Sequence, residues 1–239
     1  MSIIQNAINK TQQLTDAEFE YTKTEDFNSL ESLNDDCTGI VMEATVAYFE
    51  IKNIDLMLKT GKRLAARIYK TYYHTLLEVC NATGGHLNCY SPNSFLLIYP
   101  KGQADETFVV DKAVKTAHLL NSTLRENFEK HTHLSFGIGI DHGNILGTKT
   151  IDDNGHPHIT WFGHTIEKAI AICKLSQRPF FVSVSRSVYH QLDDSIKTST
   201  KHILGVKKEI ELWTRMSYEF ENTKKHLYQT NTLKSFDDE

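Results

Sequence analysis

The sequence predicts an α/β (α+β) protein with a mostly antiparallel sheet, on three observations. An apolar run without alternation covers residues 41–51, two long stretches carry apolar residues at three- and four-residue spacing, and two strand-like runs are joined by only a short turn segment. Val46, Tyr48, Phe49 and Ile51 lie in the first run, which predicts a strand buried on both faces. Gly61 to Cys80 places Leu64, Ile68, Tyr72, Leu76 and Val79 on one side of a helix. Gly84 and Gly85 then break the chain. His86 to Tyr90 and Ser94 to Tyr99, separated by Ser91, Pro92 and Asn93, predict a hairpin.

Thr107 to Glu129 predicts a second amphipathic helix, with Val110, Val114, Ala117, Leu120, Leu124 and Phe128 along its buried face. Leu134, Phe136, Ile138 and Ile140 alternate as a strand with one face covered, and Asp141 with Gly143 predicts a turn after it. Asp152 to Gly155 is turn chemistry before a strand at His158 to Phe162. Gly163 to Leu175 reads as a helix, Pro179 to Val184 as a strand, and Ser185 as the cap of a short helix ending at Leu192. Glu209 to Thr214 is the last predicted strand. The order strand, helix, hairpin, helix, strand is the ferredoxin-like βαββαβ plan, with C-terminal extensions and both long helices on one face. Residues 1–38, polar with acidic residues between Glu31 and Asp36, read as an N-terminal arm with at most one short helix. The folded domain covers 39–216. Residues 217–239 read as a tail, and Trp213, Tyr218, Phe220 and Leu227 suggest a surface helix there.

Composition narrows the function classes. The 239 residues carry 26 Lys plus Arg against 30 Asp plus Glu, a net charge of -4, which argues against nucleic-acid binding by phosphate neutralisation. No apolar run approaches the roughly 20 residues that cross a bilayer, and Met1 to Lys10 lacks the pattern of a secretory signal, so no membrane attachment is expected. Cys37, Cys80, Cys89 and Cys173 form no CxxC pair and read as reduced thiols of a cytosolic protein. Of the 12 His, the alternate pairs His131 with His133 and His156 with His158 lack a third ligand at zinc spacing and read as surface residues. Tyr72, Tyr73 and Phe128 read as packing.

Several segments, in this order, resemble the class III nucleotidyl cyclase catalytic domain, the family of adenylate and guanylate cyclases. They are Thr45 to Ile51, Gly84 with Gly85 before the hairpin, Phe136 to Gly143, Trp161 to Gly163 entering a helix, and Val182 to Tyr189. The resemblance spans roughly Ala44 to Trp213. It implies a head-to-tail dimer and a reaction in which the ribose 3′-hydroxyl attacks the α-phosphate of a nucleoside triphosphate. Two Mg or Mn ions, held by two carboxylates, would assist that step.

Residue by residue, the resemblance puts the first metal carboxylate at Glu50 and the second at Asn93, a neutral amide. The ribose-orienting Asn falls on Glu167 and the transition-state cation on Ala171. The base-selecting positions fall on Cys89 and Thr160, and a phosphate-binding Lys falls on Lys207, or on Lys208 with a one-residue slip. Asn93 beside Pro92 is also plain turn chemistry, and Glu167 with Lys168 also reads as a solvated helix face. Loss of one transition-state donor costs roughly 10²- to 10³-fold in rate. The expectation is therefore a catalytically degenerate member with no metal or a weakly bound one. It would be an interaction or regulatory module that forms a homodimer, or a heterodimer with an active cyclase. Two alternatives stand beside it: an active cyclase using Glu50, a displaced carboxylate (Asp55 or Asp141) and Lys207, and a nucleotide sensor without turnover.

Overall fold

A computed structural model describes residues 2–34, 37–59, 61–129, 135–152, 154–176, 181–203 and 206–232. Asp35, Asp36, His131, His133, Leu134 and Pro179 lie outside these residues, as does the side chain of Phe128.

The core is built on β2 (Thr38–Ile51), whose two neighbours are β4 (Ser94–Pro100) and β5 (Phe136–Ile151), with β3 (His86–Ser91) outside β4. All three pairings are antiparallel, so the spatial order β5-β2-β4-β3 is the ferredoxin-like sheet. The crossovers are α3 (Lys62–Ala82) and α4 (Glu106–Glu129). Because β2 is central, both of its faces are covered. Ala47, Phe49 and Ile51 pack with Phe95, Leu97 and Tyr99 under α3 and α4. Met42, Ala44, Val46 and Tyr48 pack with Leu96 and Ile98 against α5 (His164–Leu175) on the other side. That double burial removes the alternation a one-sided strand shows.

The helix stripes fall where the periodicity places them. Ile68, Tyr72, Leu76 and Val79 of α3 and Val110, Val114, Ala117, Leu120 and Leu124 of α4 are all buried. Leu64 and Tyr73 are corrections: they are 37% and 39% exposed, on the flank of α3. Gly84 ends α3 with a φ of 63°, a left-handed conformation that costs a glycine little.

β5 departs most from expectation. No turn forms at Asp141 and Gly143; the strand continues to Ile151, in unbroken register with β2 from Ile51↔Phe136 to Gly39↔Thr148. The 14-residue partner β2 supplies a ladder bond at each step, and this outweighs local turn chemistry. Phe136, Ile138 and Ile140 face the long helices, while the alternate glycines face α5. A side chain at Gly139 would collide with the backbone of Ala169 and Cys173, so α5 lies directly on the strand.

The remaining elements extend this sheet. β6 (Pro157–Phe162) pairs with β5 after the predicted Asp152 to Gly155 turn, where Gly155 N–H donates to Asp152 O. β7 (Val182–Ser185) joins β5 in parallel, and Ser185 Oγ caps α6 (Arg186–Gln191) by accepting from Val188 N–H. A separate hairpin joins β8 (Thr198–Ile203) to β9 (Val206–Glu211) after the short α7 (Asp194–Lys197).

The predicted C-terminal helix is a hairpin instead. β10 (Thr214–Phe220) and β11 (Thr223–Thr230) turn at Glu221 and Asn222, both with positive φ, and β11 joins β7 in the main sheet. Tyr218 and Leu227 then seal Ile172 of α5. At the N-terminus, α1 (Ile3–Asp16) is capped by Ser2 and lies exposed, while β1 (Glu20–Lys23) adds in parallel to the start of β2. The short α2 (Ile54–Lys59) completes the order. No helix among the described residues is long and apolar enough to cross a membrane.

Candidate functional site

Of the predicted positions, Glu50 lies on the α5 side of the sheet and Cys89, Thr160 and Glu167 gather at the start of α5, while Lys207 stands apart from them. Glu50 lies near the end of β2, between Ser94 and Gly137. Residues two apart on a strand share a face, so Lys52 rises beside Glu50. Its Nζ stands 2.7 Å from Glu50 Oε2 and donates a further 2.7 Å bond to the carbonyl of Cys173 in α5. The space for this side chain comes from Gly137, where a Cβ would lie 2.8 Å from Lys52 Cε. The two side chains are 19% and 23% exposed, so the pair is partly withdrawn from water. Burial pushes the Cys173 thiol up to about 12, so it stays protonated beside the Lys52 ammonium.

Asn93 sits in the adjoining β3–β4 turn with both ends of its amide occupied. Its Nδ2 donates to Ile51 O at 3.1 Å and its Oδ1 accepts from Ser91 Oγ at 2.9 Å. Its backbone carbonyl accepts from Ile51 N–H, tying the turn to the end of β2. The residue staples one strand end to another.

Cys89, Thr160 and Glu167 come together. With Tyr90, Trp161 and Ile166 among others they line a cavity of about 490 Å³ between β3, β6 and the start of α5. Glu167 is the one charged residue of this lining among the described residues. Ala171 lies one turn farther along α5 and is not in the lining. Lys207 and Lys208 are exposed on β9, in the separate two-stranded sheet.

The two spare carboxylates do not complete a metal pair with Glu50. Asp141 is buried and receives Lys168 Nζ at 3.0 Å, so Lys168 belongs to an interior ion pair and not to a solvated face. Asp55 is exposed on α2. His156 and His158 both approach Asp152, at 3.2 and 3.6 Å, and remain exposed. Sequence reasoning missed Lys52 as a participant. Its spacing from Glu50 was visible, but the space beneath Gly137 was not.

The strand order, the β3–β4 turn beside β2 and the cavity at the start of α5 can be compared with solved structures. The chain has the class III nucleotidyl cyclase fold. The guanylyl cyclase Cya2 superposes with a TM-score of 0.65 at 11% identity, covering 84% of this chain and 97% of that one. A class III adenylyl cyclase-like ATP-binding protein from Pseudomonas aeruginosa gives a TM-score of 0.66 at 19% identity, over 80% of this chain and 43% of that one. The non-canonical dimeric guanylyl cyclase domain of the RhoGC fusion protein from the aquatic fungus Blastocladiella emersonii gives 0.59 at 15% identity, over 79% and 96%. Identities this low establish the cyclase fold alone. No family model matches the sequence, and no curated protein matches it significantly.

A two-metal cyclase centre needs anionic oxygens facing open space. Here the Glu50 carboxylate already holds an ammonium and Asn93 is an amide used as a staple, so these two side chains offer no pair of free anionic oxygens to two divalent ions.

Proposed function

We propose that this chain is a catalytically degenerate class III cyclase-homology protein, acting in signalling as an interaction or regulatory module that holds nucleotide weakly at most. One observation carries the reading: the Lys52 ammonium lies 2.7 Å from Glu50, where a cyclase would place a dication. Charge on the other wall supports it. Glu167 lines the cavity where the family orients the ribose, and a carboxylate there repels a triphosphate. Ala171 has no group to donate to a transition state, and Lys207 is the one phosphate-binding position that keeps its chemistry.

The catalytically degenerate unit takes in residues 39–216, and the C-terminal hairpin of β10 and β11 extends its sheet at β7. It works as a homodimer, or as a heterodimer with an intact cyclase, and a neighbour whose cyclase domain is dimeric, in a non-canonical form, supports self-association of this fold. Its four cysteines, all free thiols, suit a reducing cytoplasm. Any Mg or Mn ion would depend on Glu50 alone and be held weakly.

A second reading, a nucleotide sensor without turnover, is favoured by the likeness to the ATP-binding protein from Pseudomonas aeruginosa. An active cyclase ranks last, because Asp141 is paired with Lys168. Incubation with each nucleoside triphosphate and Mg²⁺ or Mn²⁺ separates the three. The proposal expects neither cyclic product nor pyrophosphate. A triphosphate-dependent rise in melting temperature without product selects the sensor. Product that disappears in Glu50→Ala overturns the proposal.

A further inference from the structure

At the opposite end of the sheet, on the α3–α4 side, His142 of β5 is only 4% exposed, yet its Nε2 stands 3.2 Å from Glu43 Oε1 and 3.0 Å from Glu106 Oε1. Glu43 comes from β2 and Glu106 from the first turn of α4. The other ring nitrogen, Nδ1, is 2.8 Å from Thr45 Oγ1. When Nδ1–H donates to that hydroxyl, the lone pair of Nε2 points at two carboxylate oxygens. Three electron-rich atoms then share one buried spot, which is stable only with a positive charge among them.

We propose that Glu43, Glu106 and His142 bind one divalent transition-metal ion of the zinc class. The spacing suits it: donors 2.0–2.2 Å from a tetrahedral ion lie about 3.3 Å apart, close to the two observed separations. All three ligand atoms fall within 4.8 Å of one another. The Thr45 hydroxyl, 2.8 Å from Nδ1, can accept from Nδ1–H and thereby serve as the outer partner of an imidazole that ligates through Nε2. Lys101 holds the other oxygen of Glu43, Oε2 at 2.8 Å, and being 32% exposed it can swing into solvent when an ion takes Oε1, so the ammonium competes with the metal.

Gln191, at the end of α6, donates from its amide nitrogen to Glu106 Oε1 at 2.8 Å and so holds that carboxylate toward the imidazole, as outer partners of ligating carboxylates do. Three side chains supply donors, and water completes a four-coordinate shell. An ion here would tie β2, β5 and α4 together far from the cyclase cavity, so its role is separate from the proposed function.

The test is isothermal titration of the full chain, stripped by chelator, with Zn²⁺ alone. Glu43→Gln and Glu106→Gln are the variants of choice because both side chains reach the surface, at 39% exposure each, and circular dichroism confirms their fold. A His156→Ala/His158→Ala variant controls for surface histidines. The expected result is saturable one-to-one binding that raises the melting temperature. Either Gln variant should weaken it at least about tenfold, and the histidine control should leave it unchanged. Co²⁺ in place of Zn²⁺ should give the visible bands of a four-coordinate ion. Absence of saturable binding, or binding that survives both Gln variants, overturns the proposal and leaves a proton as the cation at His142.

Discussion

Replacing Lys52 by Met removes the ammonium from Glu50 and keeps an apolar stem against Gly137. Unit charges 4 Å apart interact by about 4 kcal/mol at an effective dielectric of about 20, so a dication that close to an unmoved ammonium is opposed by about 8 kcal/mol. An ion can therefore reach Glu50 only by expelling Lys52 from its bonds to the carboxylate and to Cys173 O, both 2.7 Å long. Hydrogen bonds to charged groups contribute about 1.5–3 kcal/mol each, and partial exposure of the pair favours the low end of their sum, about 2 kcal/mol after discount. At 1.4 kcal/mol per tenfold, Lys52→Met should bind Mn²⁺ about 30-fold more tightly than the parent. The assay is Mn²⁺ titration followed by electron paramagnetic resonance, in a Glu106→Gln background so that the His142 cluster does not contribute. Equal Mn²⁺ affinity in parent and Lys52→Met, lost from both on Glu50→Gln, would refute the claim that Lys52 occupies the metal position.

Three further outcomes follow from the packing. Lys168→Met strands Asp141, which is only 2% exposed, and should cost about 3 kcal/mol in urea unfolding; a Lys168→Met/Asp141→Asn double variant should recover much of that loss, and equal losses would refute the interior pair. Gly139→Ala drives a methyl into the α5 backbone and should cost about 1–3 kcal/mol or more, whereas unchanged stability would show that α5 stands farther from β5. Burial raises Cys80 to about 11, Cys173 to about 12 and Tyr99 to about 12. The folded chain therefore keeps protons that the unfolded chain releases from about pH 9 upward. Stability from these groups is complete below about pH 9 and falls as pH climbs through the range of the folded values. Melting temperatures that stay flat from pH 8 to 11, or native Cys173 alkylated as fast as exposed Cys89 at pH 8, would contradict this.

The sequence is most legible where one periodicity dominates. The stripes of α3 and α4 recur at each turn, and β2 and β4 carry apolar residues on both faces because each is covered on both, Glu43, Thr45 and Glu50 of β2 being exceptions. It is least legible where long-range pairing decides. Asp141 and Gly143 are ordinary turn residues, and only the full length of β2 keeps them extended. The C-terminal hairpin buries few apolar residues, Tyr218 and Leu227 beside the polar Gln229 and Thr230, so its alternation is faint, and Glu221 is not a residue type that announces a turn with positive φ. For the candidate site, Cys89, Thr160 and Glu167 could be placed by motif order, and they share one cavity. The partners of their charged neighbours could not, since Lys52 and Lys168 find carboxylates through spaces shaped by other strands.

That difference bears on how such a centre loses its chemistry. Deleting ligands would leave an open polar pocket into which ions and water could still enter. On the proposed reading the acids are instead neutralised in place. Lys52 supplies a cation of the chain's own to Glu50, Lys168 does the same for Asp141, and Glu167 brings an anion to the cavity where a ribose would be oriented. Internal pairing also stabilises the fold, because a carboxylate left without a metal in a partly buried position is costly until it is matched. If the proposal holds, a chain that binds no metal here gains stability from lysines at these positions, and metal affinity at Glu50 requires removal of Lys52 as well as an acid at position 93.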